Sequence, residues 1–459
     1  MVSKPKLPDL ADTCRFIKSL GKPTVAQIVQ EAQGAGTVAV QARSGLGGHA
    51  EMLSLLTGME SEAEPDILTI TIDSYSRLRM FEQASKVLRT NPAALNGYPL
   101  VAHGWQRGRE LNQRTKRPLD IRHGSPVADE LFDVAVASGI TSFEGGGISY
   151  NLPYSKRVSL NESLAAWRRI DRKCGVLAEQ AIVVSREMFG TLTAVLTPPS
   201  ISLAVTLLEA VSAARDGVRC LLIAYPQGGN ILQDVAALRS IPRLARKYIP
   251  CEKVYPVLHQ YMGPFPRSRT KADALILLGG LVARLGGASK VLTKTYEEAR
   301  GIPSLKANVD GISLTKCALA QMFEFVAIDE AAVDEEIYWI EREVSELIGS
   351  LVDADDLHEA IISSFQMGRL DVPFSPSIST RGDVIPVRDS QGAIRYLSSA
   401  GLPFSERTRF RNQRLLHNLW KPAQQLREIQ RSINHFVDVS NSYSLSSVTA
   451  ADSSSSSSS

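Results

Sequence analysis

Apolar residues recur along the chain in two alternating rhythms. Helical spacing comes first, in DLADTCRFIKSL and PTVAQIVQEAQ, which make residues 1–36 a helical lead-in. From residue 37 short apolar runs of strand length alternate with helical stretches. The strand candidates are TVAVQAR (37–43), DILTITID (66–73), PLVAHG (99–104), LDIRHG (119–124) and GITSFEGG (139–146). AIVVSRE (181–187), VRCLLIAY (218–225), KVYPVLHQ (253–260) and KVLTKTY (290–296) complete the set. HAEMLSLLTGM, RLRMFEQASKVLR, SLAAWRRIDRKCGVLAEQ and LQDVAALRSIPRLARKY are helical stretches between them. Strand followed by helix, repeated, specifies a parallel sheet with helices outside it. An open doubly wound sheet and a closed (β/α)8 barrel both fit. The nine candidates are one more than a barrel needs, so one is an extra arm or no strand at all.

Past residue 300 the alternation stops. The stretch 322–352 reads as a long acidic amphipathic helix with room for one break, and 384–397 as two short strands around a Ser-Gln-Gly turn. The expected organisation is a lead-in (1–36), a catalytic barrel domain (37–300) and a smaller α+β region of helices and a hairpin (301–439). A disordered tail (440–459) ends in seven serines.

Composition narrows the classes. The 459 residues carry 51 Lys plus Arg against 48 Asp plus Glu, a net charge of +3, and only 6% are aromatic. That balance predicts no nucleic-acid surface and no polybasic membrane surface. No apolar run approaches the roughly 20 residues of a membrane span. The five cysteines form no CxxC and no zinc spacing, and the N-terminus lacks a signal-peptide core. A reduced, cytoplasmic chain without a structural metal is the expectation.

Candidate chemistry gathers at the C-terminal ends of the proposed strands. Arg43, Asp73, Arg77, His103, Arg122, His123, Glu144 and Lys294 all stand there. Parallel sheets bind ligands at that end. Each residue alone could serve a rim ion pair, but as a set they point to a site. Arginine presents a planar fork that matches a carboxylate, so Arg43, Arg77 and Arg122 suggest a ligand with more than one carboxylate or phosphate. In EGGGISYNLPYSK three consecutive glycines follow Glu144 and precede Tyr150 and Tyr154, and leave room for a flat or bulky ligand. YMGPFP and KTYEEARGIP read as further rim loops, with Phe265 an apolar wall and Lys294 and Glu298 a clamp or an i,i+4 pair. GLGGHA after the first strand mimics a dinucleotide motif, but Gln41-Ala42-Arg43-Ser44 is too polar for the strand end such a fold needs.

Long strings carry a resemblance: QARSG, IDSYSRLR, LNGYP, RHGSP, EGGGISYNLPY, REMFG, TPPS, GGNILQDVAALR, HQYMGPFP, KTYEEARGIP, DVPFSPS and PVRDSQGAIRYL. Over about residues 36–410 the chain resembles the epsilon, barrel-bearing subunits of glutamate mutase (methylaspartate mutase). The resemblance implies a (β/α)8 barrel whose mouth receives adenosylcobalamin, with the corrin held mainly by a small sigma-type subunit carrying D-x-H-x-x-G. This chain has no such motif; His358, in DLHEAI, fails at the glycine. It implies radical interconversion of L-glutamate and L-threo-3-methylaspartate, started by homolysis of the cobalt–carbon bond. A homodimer within a heterotetramer is the expected assembly. Substrate contacts fall at Arg43, Arg77, Arg122, His123, Glu144, Tyr150 and Tyr154, with Glu144, Arg122 and His123 closest to the chemistry. Cofactor contacts fall at Gly45, Asn96, Pro153, Phe265, Lys294, Glu298 and Ile302. The alternatives are a related mutase barrel acting on another amino acid, a catalytically silent assembly partner, and a nicotinamide dehydrogenase.

Overall fold

A computed structural model describes residues 6–192, 196–416 and 422–437. The expected serine tail lies outside the described residues. Eight strands form one sheet: β1 (Ala39–Gln41), β2 (Leu68–Thr71), β3 (Leu119–Arg122), β4 (Ser142–Glu144), β5 (Ser185–Met188), β6 (Cys220–Pro226), β7 (Val254–His259) and β8 (Lys290–Leu292). Every neighbouring pair is parallel, from β2 through β3 and onward to β8, which pairs with β1. A parallel bridge between Gln41 and Ile67 joins β1 to the start of β2, and the backbone N–H groups of Asp66 and Ile67 both donate to the Val40 carbonyl. The sheet therefore closes into a (β/α)8 barrel, and the open doubly wound alternative falls.

The surplus strand candidate was 99–104. Tyr98 makes a single bridge with Ile72, but Pro99 has no N–H to continue the ladder, and Leu100–His103 turns into a short helix. His103 consequently leaves the rim set: its Nε2 meets the Gly47 carbonyl at 2.9 Å and its ring stacks on Tyr98.

Side chains alternate across each strand with period two. Leu68, Ile70, Ile121, Phe143, Leu221 and Ile223 point outward into the helix layer. The inward positions divide by height. At the N-terminal end Ala39, Ile67, Cys220, Leu222, Tyr255 and Val257 are apolar, and Val25, Val29 and Ala32 of helix Val25–Ala35 pack against them. That helix, started by a reciprocal Thr24–Gln27 cap, stoppers the barrel floor. Above it the lumen turns polar. Gln41 Nε2 reaches Thr69 Oγ1 at 2.8 Å and Asp120 Oδ2 at 2.6 Å, linking β1, β2 and β3 across the interior.

Close packing between β5 and β6 yields a stability test. A Cβ on Gly190 would stand 1.8 Å from the Ala224 carbonyl oxygen, a backbone atom with no freedom to retreat. Gly190→Ala should cost about 1–3 kcal/mol as overpacking, read as a lowered urea midpoint with an unchanged slope.

Beyond the barrel, helix Glu330–Ile348 packs on helices Pro199–Arg215 and Ile231–Tyr248. It begins eight residues later than its sequence pattern suggested, because Asp329 caps it through the Ala332 N–H and 321–323 forms a separate 3-10 turn. The hairpin is present as β9 (Ile385–Arg388) and β10 (Ile394–Ser398), antiparallel, with Asp389 Oδ1 accepting from the N–H groups of Gln391 and Ala393 in the turn. Gln233 exchanges two hydrogen bonds with the backbone of Ile394 and seats the hairpin beside the β6 loop. Among the described residues no helix is long and apolar enough to cross a membrane.

Candidate active site

The upper lumen holds a buried network of charges. Arg122 at the end of β3 forms ion pairs with Glu144 at the end of β4 and, at 3.2 Å, with Glu187 on β5. Glu187 also accepts from His259 Nε2 of β7 at 2.7 Å and from Lys290 of β8. Lys290 lies 3.9 Å from Asp120. Tyr150 donates its phenol to Glu144. All these side chains are buried, where an unpaired charge would be costly.

Burial and neighbouring charges shift the two glutamates in opposite directions. Burial pushes Glu144 well above the usual carboxylate range; Arg122 opposes this, while Glu187 and Asp120 add to it. Burial works against charge on Glu187 as well, but Lys290, His259 and Arg122 outweigh it and hold that carboxyl well below its ordinary range. Opposite shifts in two neighbouring acids mark out different tasks for them. Burial, reinforced by Arg122, pulls His259 down to about 4, so its ring is neutral at pH 7. It can donate from Nε2 to Glu187 only if Nδ1 accepts, and Thr191 Oγ1 lies 3.0 Å from Nδ1. Glu144, Glu187 and His259 also bring three ligand atoms within 4.8 Å of one another, the spacing of a metal site. Here the charge of the two carboxylates is taken up by Arg122 and Lys290 instead.

His123 follows Arg122 and is held from both sides. Its Nδ1 accepts from the Ser125 N–H at 3.0 Å, which puts the ring proton on Nε2, and its ring stacks on Trp167 and meets Tyr150 edge-on. Burial, followed by the charges of Arg77 and Arg186, keeps it neutral.

Nearer the mouth, Arg43 and Lys294 both approach Glu298, at 3.5 and 2.7 Å. Lys294 and Glu298 are thus paired, on a turn rather than a helix. Burial pulls the Lys294 ammonium down to about 8, with Glu298 opposing and Arg43 assisting. Arg77 donates from Nε to the Ile72 carbonyl at 2.8 Å. Burial lowers its pKa first and the Arg43 charge second, so these two guanidiniums press on each other. Tyr154 leans on the Thr191 carbonyl at 3.3 Å with its ring near Tyr150 and Phe189. Arg43, Arg77, Arg122, His123, Glu144, Tyr150, Tyr154, Lys294 and Glu298 therefore share one end of the barrel. Gly45 and Pro153 are buried in the loops after β1 and β4. A Cβ at Gly45 would stand 2.7 Å from the Thr71 carbonyl oxygen. Asn96 caps the Ser74 N–H on the rim beyond β2, Phe265 packs with Tyr261 beyond β7, and Ile302 is exposed beyond β8.

The glycine triplet works differently from the expectation. All three residues are buried and face protein, not an open approach. A Cβ on Gly145 would strike the Tyr150 ring, one on Gly146 the Glu209 carboxylate, and one on Gly147 Leu164. Gly145 also has φ +112, which only glycine adopts readily. The turn must be this thin to bring Tyr150 back onto Glu144. Arg186 braces it, donating to the carbonyls of Phe143 and Gly145 and lying over Trp167. Glu209 clamps it from helix Pro199–Arg215, accepting from the N–H groups of Ile148 and Ser149 at 2.7 and 2.8 Å and from Ser149 Oγ at 2.9 Å.

Burial pushes the Glu209 carboxyl up to about 7, against the pull of its Ser149 and Ile148 donors. The unfolded value is about 4.3. The folded chain therefore binds this proton more tightly than the unfolded chain. The stability so gained is full below about pH 4.3 and is lost as pH rises through about 7. Glu209→Gln should flatten the fall in urea midpoint between pH 4.5 and 7 relative to the parent.

Glu187, His259, Lys290, Asp120 and Gln41 were not singled out in the sequence. A signal was present: polar residues alternate with apolar ones in L-D-I-R, and His259 closes its strand as Glu144 does.

Residues 22–444 match the family model described as "Methylaspartate mutase E chain (MutE)". The chain is 39% identical over 401 residues to the "Glutamate mutase epsilon subunit" of Haloarcula marismortui, covering 86% of this chain and 82% of that protein. It is 40% identical over 389 residues to the protein of that name from Desulfitobacterium hafniense, covering 82% and 80%. For the Fusobacterium nucleatum protein of that name the identity is 33% over 414 residues, covering 86% and 84%.

Proposed function

The chain belongs to the methylaspartate mutase E chain family, and from that membership we propose that it is the catalytic barrel subunit of an adenosylcobalamin-dependent glutamate mutase. In this reading it interconverts L-glutamate and L-threo-3-methylaspartate. The observation that carries the reading is the gathering of Arg43, Arg77 and Arg122 at the end of the barrel where Glu144 stands. Three guanidiniums beside one carboxylate suit a ligand that carries two carboxylates and one ammonium.

Arg43, Arg77 and Arg122 hold the two substrate carboxylates. Glu144 receives the substrate ammonium, whose charge favours the ionised carboxylate against the burial that opposes it. Tyr150, Tyr154 and His123 close the polar shell, with the His123 Nε2–H as a further donor. The residues at the mouth fit the cofactor. Leu78, Met80, Tyr154, Ile302, Phe374 and Ile378 are exposed and apolar, on loops around the rim. They suit the broad face of a corrin, with Gly45, Asn96, Pro153 and Phe265 on the same side. Glu298 Oε1 is buried without a hydrogen-bond partner and suits a nucleoside hydroxyl, with Lys294 fixing it from the other oxygen. When bound, adenosylcobalamin supplies the carbon-centred radical that takes a hydrogen from the substrate. The protein's work is to hold both ends of the substrate rigid and to exclude water.

His358 is engaged with Ser212 Oγ at 2.8 Å on the outside of the barrel, which supports a lower cobalt ligand supplied by a separate D-x-H-x-x-G subunit. The proposed assembly pairs two barrels with two such subunits. The test is to combine the purified chain, that subunit, adenosylcobalamin and L-glutamate, and to assay methylaspartate. Turnover of another amino acid in a substrate panel, with none of glutamate, would move the reading to a related mutase.

A further inference from the structure

Glu187, like Asp120, is fully enclosed in the lumen. Its side chain has no exposure, against 1% for Glu144, and both of its oxygens are engaged, Oε1 by His259 and Oε2 by Lys290. It nevertheless touches the group that, on the reading above, grips the substrate. Arg122 meets two carboxylates, and both engage the same nitrogen, Nη1. The other two guanidinium nitrogens, Nε and Nη2, form no hydrogen bond or ion pair among the described residues, and they are the paired donors a carboxylate needs.

The two carboxylates cannot share the task of holding Arg122 while substrate is bound. Glu144 is the acid an ammonium group can approach. When it pairs with that ammonium its hold on Arg122 weakens, and the arginine would be free to swing after it. Glu187 has no competing ligand. It is itself fixed from behind, by His259 at 2.7 Å and by Lys290, and His259 is fixed by Thr191 at 3.0 Å. The chain of contacts runs from β8 and β7 through β5 to β3, and every member sits on a strand or at its end. Barrel interiors are commonly filled at this height by branched apolar side chains. Filling this one with ions costs desolvation, and a well-packed apolar substitute is often at least as stable. Stability alone therefore does not account for it.

We propose that Glu187 is the positioning residue for Arg122. Anchored by Lys290 and His259, it keeps the guanidinium aimed at the substrate carboxylate while Glu144 turns to the ammonium. The proposal rests on the mutase reading for its ligand, but not for its geometry.

The experiment has a kinetic arm and a structural arm. Glu187→Gln keeps the shape and removes the charge. In the assembled holoenzyme it should lower kcat/KM for L-glutamate by roughly tenfold to a hundredfold, the scale of one charged hydrogen bond. The loss should appear mainly in KM, since the grip serves ground and transition states alike. Glu187→Gln combined with Arg122→Lys should be no worse than Arg122→Lys alone, because one acts through the other. A merely structural Glu187 would give multiplying losses, and that result overturns the proposal. If Glu187→Gln fails to fold, Glu187→Gln with Lys290→Met restores the charge balance and enters the same cycle. In the structural arm, a crystal structure of the variant should show the Arg122 guanidinium displaced towards Glu144. An unmoved guanidinium overturns the proposal. Should the wild-type complex fail to turn over glutamate, the functional reading falls while the structural arm still decides this one.

Discussion

Replacing Arg122 with lysine lowers kcat/KM of the assembled enzyme for L-glutamate by about tenfold to a hundredfold, mainly through KM, and leaves the barrel folded. Lysine keeps the positive charge among Glu144, Glu187 and Asp120, so the network is not left with an uncompensated acid. It loses the planar fork. In the wild type Nη1 is occupied by the two glutamates, and Nε and Nη2 remain for a carboxylate. An ammonium drawn to the same glutamates has no second, rigidly placed pair of donors to offer. The lost interaction is worth about 1.5–3 kcal/mol, which is the stated range in rate. Steady-state kinetics of the purified mutant complex, with urea midpoints to confirm folding, measure it. Wild-type kinetics would remove Arg122 from the substrate site.

The barrel was legible because its alternation of strand and helix is strong, and because polar residues at strand ends have few reasons to be there. The ninth strand candidate was misleading because PLVAHG has the composition of a strand. One proline decided against it, since Tyr98 had already made the only bridge that the missing N–H allowed. The glycine triplet misled for a different reason. Sequence shows that a backbone is thin, but not what presses against it, and Tyr150, Glu209 and Leu164 arrive from elsewhere in the chain or in the turn.

The hidden half of the site has the same origin. Burial in the middle of a parallel strand excludes unpaired charge, not charge as such. Asp120 and Lys290 sit two positions or more below the mouth and are tolerable because strands distant in sequence bring them within 3.9 Å. No local pattern announces such a pairing, although the period-two polarity of LDIR pointed inward all along. Arg122 and Glu144 were visible because they end their strands; His259 also ends its strand, and Glu187 stands one residue short of the end of β5.

By itself the chain should form no methylaspartate from L-glutamate and adenosylcobalamin, and the small subunit should restore activity. The barrel mouth offers one face. Its apolar fringe includes Leu78, 70% exposed, and Ile378, 83% exposed, on loops that reach past the charged lumen. Loop 371–384 is tied to the β4 loop, where Ser375 Oγ donates to the Leu152 carbonyl at 2.5 Å, so this fringe is built into the barrel rather than trailing from it. A single open face of this kind covers one side of a corrin and leaves the other in water. Among the described histidines none is placed to approach from that second side: His49, His103, His123, His259 and His358 are each held by a neighbour, and His435 meets the Phe436 ring edge-on. With the second face covered by a partner, cofactor and both proteins should each bind better in the presence of the others, because each buries surface the other two leave open. Titrating adenosylcobalamin into the chain alone, the small subunit alone and the mixture separates these terms, and methylaspartate formation is followed in the same samples. The mixture should bind most tightly and be the only one that turns over. Full activity from the chain alone would overturn the two-component reading and place a complete cobalamin site within these 459 residues.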